Sequence, residues 1–592
     1  MANGSYWDKF TNSRVTRRRA MQMAGIGAAS AGAIALVGCG GGGDDPSGTT
    51  PGAGTTPAPS GEGTPKPGGT LKITLPLLTG KDPHKAGSFI PHAFGSFSYS
   101  RMLRFKTVVG EISQEDRYSP VPELVSKIEN PDPTTYIFTL RDDVTFHNVA
   151  PTNGRKLTAT DVINSYNRYA ELSPNKANLT SIVDSVTASA DDTQVTFKLK
   201  GPFGLFLHRL ASYQDLWIIP KELVDSGENA VDEKSVGSGP FVFQSFEAGV
   251  SAKWIKNPAY FEKDAAGAAL PYLDGVELAF IPDPNQVLSQ FAAGNLDSIS
   301  VQAKLVDSVR SQSPSAIIDA APRNILNFFY FEPASYTADK APFNDDRVRR
   351  GISRAIDRDA LLNLISNEGG EWPNMPISSG FSEFWWLDPR SSEMGDAAKN
   401  YVYDVAEAKK LFAAAGVDSI DVPMHFSSNV YTIVVPYYET IRQAIPDMLK
   451  EAGVNVSPVP EEYSSVYIPK TFAGEFDGMA LGLESVFSDV GAYWSNMFYP
   501  RDAGGGRNHS SVNDADLVSR IEKMLALEDV DEIREANFEL QKYTSEKMYY
   551  VPLINPVEFT ARQKSLKGVV NTHGPTTYAI GTEGALTNWF EV

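Results

Sequence analysis

From residue 69 onward, hydrophobic and polar positions fall into short periodic runs that continue almost to the C-terminus. Thr70-Leu71-Lys72-Ile73-Thr74-Leu75 alternates with period two and predicts a first strand. Tyr136, Phe138 and Leu140 alternate in the same way. Arg141 to Asp143 predict a turn, after which Val144 and Phe146 resume the strand pattern. Thr158 predicts a helix N-cap, since its hydroxyl can accept from a free backbone amide of the first turn. Asp161 then occupies the third helical position and Val162 opens the apolar face. A second hairpin is predicted around Asp191-Asp192, between residues 186–188 and 195–199. This stretch reads as a small α+β unit inserted into a larger domain.

Further along, Asp283 and Pro284 predict a helix start, Val287, Leu288 and Phe291 its buried face, and Gly294 its stop. Asp404 predicts the cap of a helix with Val405, Ala408, Leu411, Phe412 and Ala415 on one side, followed at Gly416 by a turn and a strand over 422–426. Ile441, Ala444, Ile445, Met448, Leu449 and Ala452 repeat the arrangement, ending at Gly453 before a strand at 454–456, with Pro446 predicting a kink. This helix-to-strand alternation predicts a mostly parallel sheet covered by helices. Leu517, Ile521, Met524 and Leu525, then Ile533, Ala536, Leu540 and Tyr543, predict two more amphipathic helices. Residues 549–553 then cross back toward the first part of the chain.

The N-terminus has another character. Arg17-Arg18-Arg19 precede a weakly apolar stretch from Met23 to Val37, too short and small-sided to span a bilayer stably, and Leu36-Val37-Gly38 lead into Cys39, the only cysteine of the 592 residues. The stretch resembles a bacterial lipoprotein signal, in which the cysteine thiol takes a lipid. Thr16 to Met21 also resembles a twin-arginine export signal. Residues 40–70 are nearly all Gly, Pro, Ser and Thr, the composition of a solvated tether. The expectation is a protein held outside the cytoplasmic membrane, in the periplasm or at the cell surface, by a lipid on Cys39.

Charge and composition remove several function classes. Lys plus Arg is 53 and Asp plus Glu is 72, a net −19; without the leader's five basic residues and one acid, 48 stand against 71, or −23. Such a surface repels phosphate backbones, so no nucleic-acid partner is expected. With Cys39 lipidated, no disulfide or thiolate metal site can form. No Gly-x-Ser-x-Gly elbow occurs, and the seven histidines show no close-set ligand spacing. Paired acids such as Asp142-Asp143 and Asp345-Asp346 read as turns and helix starts. No catalytic residue, metal or cofactor is expected, and the chain is read as a monomer that is not an enzyme.

Several blocks occur in one order: Leu140-Arg141-Asp142 with Val144, Phe146 and His147; Leu157-Thr158-Ala159 with Asp161-Val162; Gly237-Ser238-Gly239-Pro240-Phe241; Asn257-Pro258 with Tyr260-Phe261; Pro271-Tyr272-Leu273-Asp274; Pro282-Asp283-Pro284; Ala341 to Arg350; and Ala355-Ile356-Asp357-Arg358. The series resembles the family 5 extracellular solute-binding proteins, the peptide and nickel type serving ATP-driven importers. The resemblance implies an α/β, two-lobed periplasmic-binding-protein-like fold with an additional inserted α+β domain. The expected limits are export signal 1–38, linker 39–68, lobe 1 over 69–105, 236–330 and 556–592, inserted domain 106–235, and lobe 2 over 331–555.

The resemblance also implies that residues 87–92 and 482–489 line the ligand cleft. Phe89, His92, Tyr431, Glu484, Ser485, Val486 and Phe487 are the expected contacts, although His92 equally fits a solvated loop. Relatives that bind peptides carry an acid, for the peptide's ammonium, where this chain has Val486. Asp489 matches a second acid that reads as a helix cap, and Glu484 is a substitute charge two residues before Val486. Thr471 and Ala480 stand where some relatives place basic residues for a carboxylate, with Lys470 adjacent. A peptide or similar small solute is expected as ligand, delivered to the permease of an ABC importer. An oligosaccharide is the alternative, with Trp372, Trp385, Trp386 and Trp494 as stacking candidates, each of which also reads as ordinary packing. Nickel complexes and a cell-surface hydrolase rank below these.

Overall fold

Thr70–Leu75 forms the predicted strand and pairs in parallel with Gly275–Phe280, which continues through antiparallel Ser251–Lys256 to Phe241–Glu247. These strands belong to a computed structural model that describes residues 63–591 apart from 79, 87–88, 111, 323–324, 333–341, 366–368, 430, 432–434, 436, 485–486, 488 and 571–579. Cys39, most of the expected linker, Ser485 and Val486 therefore lie outside the described residues. Trp254 anchors the core beneath this sheet, with ring centroids 4.7 Å from both Phe94 and Phe97. A second sheet sets Asn555–Arg562 between antiparallel Ser298–Val301 and Ile317–Pro322. Asp283 caps the helix Pro284–Ala292, whose Val287, Leu288 and Phe291 are buried against that sheet's core.

The α+β unit is an antiparallel sheet ordered Val125–Asp132, Thr135–Leu140, Gln194–Leu199, Val183–Ala188. Its helix Ala159–Leu172 starts in a capping box between Thr158 and Asp161. One expectation fails here. Val144 and Phe146 do not continue the sheet; the chain leaves it after Leu140 and folds on itself, Phe146 N–H donating to the Arg155 carbonyl and Leu157 N–H to that of Val144. Both side chains are buried all the same, so the alternation reported burial, while the pairing partner of Thr135–Leu140 comes from residues 194–199.

The second lobe is built on a five-stranded sheet ordered Val454–Glu461, Ile420–Ser427, Met479–Glu484, Leu326–Phe331, Val551–Pro552. The first two junctions are parallel and the last two antiparallel, so the sheet is mixed rather than mostly parallel. The helix-strand units produce the parallel half; the other half is closed by Leu326–Phe331, six consecutive buried residues whose lack of alternation hides them from a period-two search. Helices Val405–Ala414 and Tyr438–Glu451 cover the sheet through Ala408, Phe412, Ile441, Ile445 and Leu449. Tyr438–Glu451 contains Pro446 and is one continuous helix. At the free edge, Ile420 and Ser428 amides donate to the Gly453 and Glu461 carbonyls. The alternate residues, Pro458 and Pro460 among them, thus face outward and present no donor to another strand.

Ile317–Pro322 of the second sheet and Leu326–Phe331 of the five-stranded sheet are neighbours in the chain, and so are Val551–Pro552 of the five-stranded sheet and Asn555–Arg562 of the second. These two crossings between the sheets are tied together. Leu553 N–H donates to the Asn327 carbonyl (2.8 Å), and buried Asn327 Nδ2 donates to the Ile554 carbonyl (3.2 Å) and the Tyr437 hydroxyl (3.1 Å). Glu371 accepts from Asn555 Nδ2 (2.9 Å) and the Ser379 amide (3.0 Å) at the start of the returning strand. Burial lifts the Glu371 carboxyl to about 7. Two adjacent crossings fixed by buried polar groups are the arrangement of a hinge.

Candidate ligand site between the lobes

Phe89 and His92 lie on the helix Phe89–Gly95, not in a loop. Phe94 points from it into the first-lobe core, and its other side meets Tyr99, Tyr213 and Trp217. His92 is 1 % exposed, which removes the solvated-loop alternative. Its Nδ1 accepts from Trp217 Nε1 (3.2 Å), and its ring stands edge-on to Tyr213 at 5.9 Å. Burial holds the imidazole down near 3, with Arg101 adding to the effect, so His92 is neutral. Phe89 packs on the same cluster.

On the second lobe, Glu484 ends the strand Met479–Glu484 opposite Leu326, beside the first crossing. Its Oε2 lies 3.5 Å from His509 Nε2 and 3.9 Å from Arg507 Nε. His509 donates from Nδ1 to the Phe472 carbonyl (2.8 Å), and burial lowers its pKa against the pull of Glu484. Glu484 thus already faces two nitrogen-bearing side chains that the sequence reading did not anticipate. Tyr431 belongs to a tyrosine cluster, edge-on to Tyr438, Tyr463 and Tyr467 at 5.3–5.4 Å, close enough to Glu484 for that charge to act on its hydroxyl. Phe487 is buried edge-on to Tyr493 at 4.8 Å.

Tyr493 joins the two groups. Burial raises its hydroxyl pKa, and Tyr118, Tyr213 and Glu484 lie close enough to contribute. Phe381 stands 4.9 Å from Tyr493 and 5.2 Å from Tyr118, making a ring-to-ring path across the lobes. Asp489 is the helix cap that the sequence suggests, accepting from the Ala492 amide at 3.0 Å at the start of Val490–Phe498. It also forms a buried two-point ion pair with Arg209 of the helix Phe206–Ala211, on the opposite side of the cleft. Asn496 Nδ2 donates to Asn178 Oδ1 (3.1 Å) alongside. No sequence signal marks these contacts, because their partners are hundreds of residues apart.

The remaining candidates divide. Trp385 and Trp494 are core residues, and Trp494 Nε1 donates to Asn537 Oδ1 at 2.8 Å, so neither is a sugar-stacking surface. Trp372 lies partly buried with Arg390 over its ring. Thr471 is buried and donates to Glu461 Oε2 (2.6 Å), Ala480 is buried, and Lys470 is exposed. Glu461 also accepts from His425 Nδ1 (2.7 Å), whose Nε2 lies 3.2 Å from Asp477. Desolvation would lower the His425 pKa, but the two carboxylates outweigh it and raise it. Among the described residues no group of three His, Cys, Asp or Glu is placed to hold a metal ion.

Comparison with known proteins fits this geometry. The sequence profile of the bacterial extracellular solute-binding proteins, family 5 Middle, matches residues 119–505. The chain belongs to that family. Among curated relatives, it is 24% identical over 459 residues to di/tripeptide-binding protein 2 of Pseudomonas aeruginosa (strain UCBPP-PA14), covering 74% of this chain and 81% of the relative. Among solved structures, the periplasmic binding protein DppA of Helicobacter pylori in complex with the peptide STSA superposes with a TM-score of 0.71 at 20% identity, covering 89% of this chain and 99% of that one. AgaA of A. tumefaciens R10 in complex with agropinic acid gives 0.70 at 22% identity, with 88% and 99% covered. The family is one of solute-binding receptors.

Two outcomes test the geometry. Asp489→Asn keeps the helix cap and removes the charge facing Arg209, so it is expected to cost about 3 kcal/mol in denaturant unfolding, with a similar cost for Arg209→Ala. The double variant should cost less than the sum, and strict additivity would show the pair uncoupled. His425, with its folded pKa above the ordinary 6.5, stabilises the fold fully below that value, and the contribution is lost as pH rises through the raised pKa. The melting temperature should therefore drop over that interval in the parent chain, and less in His425→Gln.

Proposed function

We propose that this receptor is the capture component of an ABC importer, taking a peptide or similar small solute between its lobes and passing it to a membrane permease. The observation that carries the proposal is the pair of tied crossings beneath a face where side chains from both lobes converge. Such a hinge lets a ligand that binds the closed form better shift the lobes toward closure. The chemistry required is recognition alone, and no covalent step is assigned to any residue. A peptide ranks first because relatives named for di/tripeptide binding and a structure holding STSA share the family and the fold. The agropinic acid complex has the same fold, so the scaffold accommodates other small polar solutes. The oligosaccharide alternative loses two of its four stacking candidates to the core.

The lipid on Cys39, the monomeric state and the placement outside the cytoplasmic membrane belong to the same proposal. No helix among the described residues is long and apolar enough to cross a membrane. The tether is assigned to the lipid on the strength of the signal-like run that ends at Cys39. Expressed in a bacterial host, the chain is expected in the membrane fraction, and Cys39→Ser in the soluble fraction; an unchanged distribution counts against the anchor. For the ligand, thermal unfolding of the purified chain against peptide, opine and sugar panels should show one class raising stability, by about 2.7 kcal/mol at 100 times its dissociation constant. Turnover of a panel member would instead establish an enzyme.

A further inference from the structure

Next to His92 lies a charged cluster for which folding alone gives no reason. The strand Ser100–Arg101 pairs with Trp217–Ile218, and the Arg101 guanidinium stacks over the Trp217 ring at 4.7 Å. Arg101 donates from Nη1 to the Ala211 carbonyl (3.2 Å) and from Nη2 to Glu583 Oε1. Its backbone amide donates to Glu123 Oε2 (3.2 Å), and its Nε lies 3.8 Å from the same oxygen. Arg104 beside it donates from Nη2 to Glu262 Oε2 (2.9 Å). All five charged residues are buried. When all three carboxylates are ionised, they exceed the two guanidiniums by one negative charge.

The cluster is also unfinished in hydrogen bonding. Glu123 Oε1, Glu583 Oε2, the Ser100 hydroxyl and the Tyr260 hydroxyl are all buried and have no hydrogen-bond partner. Tyr260 is 6 % exposed and lies within electrostatic reach of Glu262, Glu123 and Glu583. Arg101 Nε and Arg104 Nε also lack hydrogen bonds, though Arg101 Nε keeps its charge contact with Glu123. Buried polar atoms are nearly always paired; the two carboxylate oxygens can only accept and the two hydroxyls can accept as well, so a donor that carries positive charge would pair them. An ammonium or guanidinium group supplies such donors together with the charge.

The cluster is bracketed by contacts between the inserted unit and the second lobe. Ala211, which accepts from Arg101, ends the helix whose Arg209 takes Asp489. Tyr118, five residues before Glu123, meets Phe381. We propose that Glu123 and Glu583, with the Tyr260 and Ser100 hydroxyls, form the subsite that receives an ammonium or guanidinium group of the ligand. Without the ligand, burial with Glu583 nearby lifts the Glu123 carboxyl to about 8, against the pull of Arg101, so it keeps a proton at neutral pH. The arriving cation displaces that proton. This inference rests on the receptor reading above and names the charge its ligand carries.

The test is calorimetric titration of the full chain with tripeptides Ala-X-Ala, X being arginine, lysine, citrulline or norleucine, each free and N-acetylated. At least one cation-bearing member is expected to bind about tenfold or more tighter than its neutral counterpart. Its binding heat near pH 7.5 should vary with the ionisation enthalpy of the buffer, reporting the released proton. Loss of the preference on acetylation assigns the cation to the peptide terminus, and persistence assigns it to the side chain. Glu583→Gln and Glu123→Gln should each reduce the preference to within about threefold. Should these variants fold poorly, the series on the parent chain decides alone. Equal affinities for charged and neutral, free and acetylated peptides overturn the inference and leave the receptor intact, the free oxygens then holding water only. Binding by no member of this series or of the wider panels removes the receptor reading, and this subsite with it.

Discussion

The contact between the inserted unit and the second lobe depends on one carboxylate. Asp489 caps the helix Val490–Phe498 and takes the guanidinium of Arg209 from the facing helix, so one side chain fixes both a helix start and the approach of the two sides. A buried ion pair of this kind adds little net stability, since desolvation offsets most of the attraction, yet losing one partner leaves an uncompensated charge. It fixes the geometry of that contact more than it strengthens the fold. Tyr118, Phe381, Tyr493 and Phe487 then stack along that geometry. With the only cysteine at position 39, no disulfide shares the task.

Local structure was legible wherever the code is local. The capping box at Thr158 and Asp161, the Asp283-Pro284 start and the Asp404 cap are side chains bonding to amides two or three residues away, and all three form as predicted. Positive φ at Gly294, Gly416 and Gly453 (75–91°) ends the helices where glycine stands. Sheet pairing was less legible, because it depends on residues distant in sequence. Val144 and Phe146 alternate like a strand and are buried like one, but residues 194–199 reach Thr135–Leu140 first. Leu326–Phe331 does not alternate, since both of its faces are covered, and so escaped notice.

The site divides along the same line. The resemblance placed Phe89, His92, Glu484 and Phe487 near a common region, and the structure connects them through Tyr213 and Tyr493, which no local pattern singles out. Glu484 read as a spare charge because its neighbours in sequence are uncharged. Its neighbours in space, Arg507 and His509, enter from a loop over twenty residues later. His92 shows the same effect: nothing in Gly-Ser-Phe-Ile-Pro-His announces a helix, and the ring is buried because Trp217 and Tyr213 arrive from the other end of the inserted unit.

The buried arginines show what this fold does with charge. Arg358 lies beside the second crossing and donates to the carbonyls of Ser353, Tyr401 and Pro552 with no carboxylate, and burial lowers its pKa to about 10. Arg349 likewise fastens the Phe343 and Lys547 carbonyls. Arg168 is matched by Asp82, and Arg209 pairs with Asp489 with buried Asp215 also within electrostatic reach. Carbonyl dipoles or carboxylates meet each of these guanidiniums. Arg101 stands between Glu123 and Glu583, each with an oxygen left over. These oxygens lie near the contact between the inserted unit and the second lobe, where a ligand's positive charge can complete their bonding.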